Sequence, residues 1–151
     1  KYSEKIGAFV QNKNGEKVSV HMGSYGIGVS RLVGALIEAF HDDKGIKWPL
    51  SVAPFKLSII NLMLADEDCT RISDEIYQKF LEKEIDVLYD DRDFSIGKKL
   101  SDNELIGIPY QLIIGKRDLK ENLIELKDRS NNKTKKMHPQ EAINFLLDTL
   151  F

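Results

Sequence analysis

The sequence predicts an α/β protein with an open, largely parallel sheet in its second part. Three observations predict it. Apolar runs of strand length alternate with amphipathic runs of helix length from Lys56 to Ile114. Gly107-Ile108-Pro109 and the Ala53-Pro54 step punctuate those runs where a chain must turn. The 42% hydrophobic and 30% charged content of the 151 residues supports a packed core and argues against disorder.

Each element follows in order. Ala8–Gln11 and Lys17–Met22 are β-rich runs joined across Asn14-Gly15, a tight-turn signal, so they read as a hairpin. A glycine-rich stretch, Gly23 to Gly28, leads into a helix. Val29, Leu32, Val33, Leu36, Ile37 and Phe40 form one continuous apolar stripe along it, a face expected to be buried. His41-Asp42-Asp43-Lys44-Gly45 ends that helix. Trp48-Pro49 and Ala53-Pro54 then hold the chain extended, because each proline disfavours helix at the residue before it. A domain boundary is expected here, giving residues 1–48, a linker at 49–55 and a second domain at 56–151. Charge changes across it, from net +2 in residues 1–48 to net −4 in residues 55–151.

In the second domain Lys56–Leu62, Asp86–Tyr89 and Tyr110–Ile114 read as strands. Glu67–Lys83 and Ser95–Ile106 read as helices, the second capped by Ser95 or Asp93. This alternation predicts right-handed crossovers between parallel strands. Asn122–Lys127 and Lys133–Met137 flank a turn and read as a hairpin. Pro139 opens a last helix with Ala142, Ile143, Leu146, Leu147 and Leu150 on one face.

Composition narrows the chemistry. With 22 basic and 24 acidic residues the chain is not a globally basic nucleic-acid coat, although a local patch remains open. A single cysteine, Cys69, excludes an internal disulfide. His21, His41 and His138 share no ligand spacing, so no metal site is expected. No signal peptide or membrane-span pattern is present, and a soluble, cytoplasmic protein is the expectation.

Three clusters could carry function. Gly26-Ile27-Gly28-Val29-Ser30-Arg31 joins two residues without side chains to a guanidinium at a helix start. Such a place suits close approach of a nucleotide and bidentate phosphate contact. The plain alternative is two turn glycines and a surface arginine. Asp90-Asp91-Arg92-Asp93, followed by Gly97-Lys98-Lys99, lies between a strand and a helix, where open parallel sheets bind ligands. Its mixed sign suits reading base edges as well as phosphates. The alternative is a solvated loop. The run from Lys116 to Lys136 holds eight basic against four acidic residues, a surplus that either faces phosphate or simply solvates a hairpin.

Taken together these segments resemble a known family. His21-Met22-Gly23-Ser24-Tyr25-Gly26-Ile27-Gly28-Val29-Ser30-Arg31-Leu32 is similar to motif 3 of the class II aminoacyl-tRNA synthetases in its prolyl form. Lys1–Glu4, His41–Ile46, Trp48-Pro49, Ala53-Pro54-Phe55, Asp90-Asp91-Arg92, Gly97 with Lys99, and Leu105–Pro109 resemble the bacterial prolyl-tRNA synthetases. The resemblance runs through the whole chain.

It implies the end of an antiparallel class II catalytic core, followed by a mixed five-stranded α/β anticodon-binding domain. It implies activation of L-proline with ATP and Mg²⁺, transfer to tRNA(Pro), and a homodimeric parent enzyme. ATP and Mg²⁺ enter as substrates, with no tightly bound cofactor. Gly26 and Gly28 would lie against ATP, and Arg31 would hold the γ-phosphate and act in catalysis. Ser24 would stand beside the proline pocket, where many relatives carry cysteine. Asp91, Arg92, Lys98, Lys99 and Arg117 would read the anticodon.

Motifs 1 and 2 are absent. A C-terminal piece of a longer enzyme is therefore expected, inactive by itself. Two alternatives stay open: a non-catalytic synthetase-like module that binds tRNA, and a sibling synthetase for threonine, glycine or histidine.

Overall fold

The computed structural model describes Tyr2 to Leu150. Lys1 and Phe151, the outer ends of the two expected domains, lie outside the described residues. The chain divides into two compact units, Lys1–Leu32 and Val33–Phe151. The sequence places its boundary later, at 49–55. Compactness puts the division within a helix instead, because residues 41–48 pack against the helix Ile96–Ile106, described below, and so belong to the second unit.

The first unit holds a short helix α1 (Tyr2–Lys5), then β1 (Phe9–Gln11) and β2 (Lys17–Ser19). The strands pair antiparallel with Val10 opposite Val18, as the Asn-Gly signal predicts. Asn12 builds the turn. Its carboxamide oxygen accepts from the amides of Asn14 (2.9 Å) and Glu16 (3.1 Å), and Gly15 takes the positive φ of +81°.

Helix α2 (Val29–Ala39) is amphipathic as read, but none of its residues is buried. Val29 is 78% exposed and Val33 52%. The expectation that this stripe is covered is thus corrected. Leu36 and Ile37 are half-buried while Val29, Leu32, Val33 and Phe40 stay exposed, and periodicity reports which face is apolar, not what meets it.

The second unit continues with a small hairpin, β3 (His41–Asp42) and β4 (Gly45–Ile46). Next come β5 (Leu57–Asn61), α3 (Glu67–Leu81), β6 (Val87–Asp90), α4 (Ile96–Ile106) and β7 (Tyr110–Ile114). The chain ends with α5 (Lys116–Leu119), β8 (Ile124–Asp128), β9 (Lys133–Met137) and α6 (Pro139–Leu150). The five strands order as β6-β5-β7-β8-β9. β5 runs parallel to β6 and β7, while β7, β8 and β9 pair antiparallel. This is the mixed five-stranded sheet that the family resemblance implies, with the hairpin read at 122–137 joined to the parallel strands through β7 and β8.

The two faces of the sheet differ in chemistry. Alternate residues point to opposite faces. Leu57 and Ile59 of β5, Leu112 and Ile114 of β7, and Ile124 and Leu126 of β8 join Cys69, Ile76 and Phe80 of α3 and Ala142, Ile143 and Leu146 of α6 in one apolar core. The opposite face meets α4 and is partly polar. Ser58 donates to Asn103 (2.7 Å), Asn103 donates to Asp90 (2.8 Å), and Gln111 donates to the Asn103 carbonyl (3.2 Å). Each of these buried groups has a partner, which is what lets them stay inside.

The hairpin at 41–46 locks onto the C-terminal end of α4. Gly107 caps that helix at φ +74°, and a Cβ there would meet the Ile46 carbonyl oxygen at 1.8 Å. At Gly45 a Cβ would meet the Leu105 backbone at 2.5 Å. Trp48 donates from its ring to the Ile106 carbonyl (3.0 Å) and from its amide to the Gly107 carbonyl (3.2 Å). Arg129, fully buried, grips Asp42 with two bonds of 2.6 and 2.7 Å and faces Glu104 at 3.4 Å. Hydrogen bonding to Arg129 holds the Asp42 carboxyl far below the usual carboxylate range. Among the described residues no helix is long and apolar enough to cross a membrane.

Candidate nucleic-acid interface

The three parallel strands end side by side. Register pairs Ile60 with Asp90 and Asn61 with Ile114, so the segments leaving β5, β6 and β7 share one edge. This is the carboxyl edge, where open α/β sheets present their ligand surface. Three segments build it: the loop after Asn61, the run from Asp91 to the start of α4, and Gly115 into α5.

Asp90 sets the local order. It ends β6 with its side chain only 4% exposed. Its carboxylate accepts from Arg92 Nε and Nη2, both at 2.8 Å, and from Asn103. Burial raises the Asp90 pKa, but the Arg92 bonds and charge outweigh it and the net shift is downward. Arg92 Nη1 also donates to Asp102 Oδ2 (2.9 Å), and Lys98 Nζ donates to Asp102 Oδ1 (2.7 Å). Lys98, then Arg92, hold the Asp102 carboxyl low. The two carboxylates raise the Arg92 pKa in turn. Ser95 caps α4 by accepting from the Lys98 amide at 3.4 Å. The result is a braced loop of two cations and two anions, with Asp91 standing outside it.

The five residues singled out for this site have different fates. Asp91 is exposed and takes no partner in the side-chain bonding among the described residues. Arg92 is 40% exposed, with its guanidinium engaged by two aspartates. Lys98 is exposed and paired with Asp102. Lys99 is only 1% exposed, and its ammonium donates to the Asn61 carbonyl at 2.6 Å, tying α4 to the end of β5. Its charge therefore faces the protein interior. Arg117 is exposed on α5, which follows β7. β6 and β7 flank β5 on opposite sides, so Arg117 lies about two strand spacings, roughly 10 Å, from the β6 side.

Asp102 and Phe94 complete the site and are not among the five candidate readers, while Asp90 belongs to the charged run already read from the sequence. The Lys98–Asp102 spacing of one helical turn was a signal for the first. Phe94 is 50% exposed and carries the Arg92 guanidinium over its ring at 4.9 Å.

The basic run from Lys116 to Lys136 is largely neutralised. Lys116 pairs with Asp66, Lys127 with Glu104, Arg129 with Asp42, Lys135 with Glu141 and Lys136 with Asp118. Much of the surplus read from sequence is internal bracing.

Ser24, Gly26, Gly28 and Arg31 lie in the other unit or at its helix start, all exposed. A Cβ at Gly26 would meet nothing within 4 Å, and at Gly28 it would make an ordinary 3.6 Å contact with Arg31 Cβ. Neither glycine has a positive φ, so the fold itself does not require glycine at either place. Arg31 forms no ion pair among the described residues. Among the same residues no group of three His, Cys, Asp or Glu side chains gathers as a metal site.

These features define a mixed α/β domain with a charged carboxyl edge, the place where open α/β sheets present their ligand surface. The comparisons make that specific: residues 52–149 match the family described as anticodon binding domain, and the chain belongs to that family. It is 50% identical over 145 residues to a proline--tRNA ligase of Wolbachia sp. subsp. Brugia malayi, covering 96% of this chain and 34% of that protein. It is 50% identical over 151 residues to a proline--tRNA ligase of Maricaulis maris, covering 100% of this chain and 34% of that one. The chain thus spans about a third of the length of these curated relatives. A crystal structure of prolyl-tRNA synthetase from Cryptosporidium parvum, complexed with L-proline and AMP, shares the fold at a TM-score of 0.71. That likeness has 22% identity and covers 99% of this chain and 32% of the other.

Proposed function

We propose that this chain is the C-terminal part of a proline--tRNA ligase and that its sheet edge reads the anticodon of tRNA(Pro). The observation that carries the reading is Asp91. It is an exposed, unengaged carboxylate beside two braced cations, at the ligand edge of a domain that belongs to the anticodon-binding family. A carboxylate accepts hydrogen bonds and donates none, so it suits the N1 and N2 donors of guanine. Lys98 and Arg117 then serve the backbone, as mobile or exposed cations do.

The same proposal covers the other unit. The full ligase would activate L-proline with ATP, brought in with Mg²⁺, in the cytoplasm and as a homodimer. Gly26 and Gly28 would leave room for the nucleotide, Arg31 would hold its γ-phosphate, and Ser24 would border the proline pocket. The open space at Gly26 and the unpaired Arg31 support these roles. The exposed stripe of α2 suits a face that the rest of the catalytic core covers.

Binding of anticodon stem-loop RNAs tests the reading. Asp91→Ala should weaken a loop with guanine at the second and third anticodon positions by roughly 1–3 kcal/mol. The loop in which the contacted guanine is replaced should lose little further, because the contact is already gone, while the loop with the other guanine replaced should lose as much as the parent loop. An equal loss for every loop would remove Asp91 as a base reader.

A further inference from the structure

We propose that Phe94 is a stacking platform for one unpaired base of the bound RNA, and that Arg92 holds the ring in place rather than reading a base. The inference rests on the RNA-binding role of this edge proposed above.

Three observations carry it. Arg92 lies 4.9 Å from the Phe94 ring centroid, within cation–π range, so one face of the ring is covered. The Phe94 amide donates to the Arg92 carbonyl at 2.9 Å, which fixes the ring's backbone in the same turn. Arg92 itself cannot swing out to a base without breaking three bonds of 2.8–2.9 Å to Asp90 and Asp102. A guanidinium so restrained acts as a floor. The ring it supports remains 50% exposed, at the place where a ligand arrives.

The surroundings favour a flat, apolar partner followed by a backbone. Ile96, two residues on, is 45% exposed. Gly97 sits in the first turn of α4 with nothing within 4 Å of where its Cβ would be, and without a positive φ. Glycine in a helix costs about 1 kcal/mol relative to alanine. No contact in the structure accounts for it, while a closely approaching ligand would. A base stacked on Phe94 would complete a guanidinium–ring–base sandwich, with Asp91 free to accept from its edge or from a neighbour's. Stacking tolerates any base, since every base has a π-face. Phe94 would therefore supply affinity and Asp91 discrimination.

The test uses the chain and a fluorescein-labelled anticodon stem-loop RNA, read by anisotropy. Phe94→Leu should weaken binding roughly 5- to 150-fold, and by the same factor whichever base occupies each anticodon position. Phe94→Trp should restore it, with indole emission quenched on binding beyond any change in Trp48 of the parent chain. A stem-loop abasic at one anticodon position should bind the parent chain as weakly as the intact loop binds Phe94→Leu, with no further loss when the two are combined. Far-UV circular dichroism checks that Phe94→Leu stays folded. Parent-like binding by Phe94→Leu, alongside weakened binding by Asp91→Ala, would overturn the platform while leaving the RNA-binding edge intact. Failure of the parent chain to bind any stem-loop would overturn the edge itself, and the platform with it.

Discussion

Three of the five hydrogen-bond donors on the Arg92 guanidinium are held by carboxylates of its own chain. Lys99 is withdrawn further, with its ammonium buried on the Asn61 carbonyl. Asp91, immediately before Arg92 in the charged run, is left to solvent. So three charges of one run have three settings: Arg92 braces the loop, Lys99 ties α4 to β5, and Asp91, the proposed reader, stays free. Lys99→Met should then cost stability and leave base preference alone. Removing the donor strands a buried carbonyl, at about 1–3 kcal/mol. Urea unfolding should show that loss, while ratios of affinity among anticodon variants stay as in the parent chain. Altered ratios would return Lys99 to the list of readers. Sequence identifies the charged run but cannot rank its members. The partner that engages Arg92, Asp102, lies ten residues away and one helix turn from Lys98, and only folding brings them together.

Among the elements, legibility followed length. The periodic helices α3 and α6 were readable because one apolar pattern repeats along each, and the strands of the sheet because their runs are apolar throughout. The Ser95 cap was readable because a hydroxyl before a helix has one main use. The hairpin at 41–46 was not, since two-residue strands carry no period. Its existence depends on glycines whose reason lies elsewhere in the fold. The stripe of α2 was legible as apolar, but its exposure was not.

Two glycines on α4 separate fold from function. Gly107 combines φ +74° with a backbone oxygen at 1.8 Å from an added Cβ. Gly107→Ala should cost about 2 kcal/mol or more, from the left-handed backbone and the clash together. Gly97 has no such constraint, so Gly97→Ala should gain up to about 1 kcal/mol in unfolding experiments. If Gly97 faces RNA, the same change weakens stem-loop binding. A stabilised variant with unaltered RNA affinity would place the ligand elsewhere.

At the scale of the molecule, charge is arranged in pairs rather than patches. The basic run at 116–136 braces the second unit through Asp42, Asp66, Glu104 and Asp118. At the carboxyl edge of the sheet Asp91 and Arg117 stand outside that pairing among the described residues. The first unit shows the opposite pattern, with Tyr25 at 96% and Ile27 at 77% exposure around the motif that would meet ATP. The family resemblance was visible in the order of short motifs along the whole chain, whereas the depth at which each charge sits was not. Where the proposed RNA ligand sits can be mapped by following amide chemical shifts of the chain during titration with an anticodon stem-loop. The largest shifts are expected in the loops after Asn61 and Asp90, through Phe94 and the first turn of α4, and at Arg117. Shifts confined to β9 and α6, with that edge silent, would contradict it.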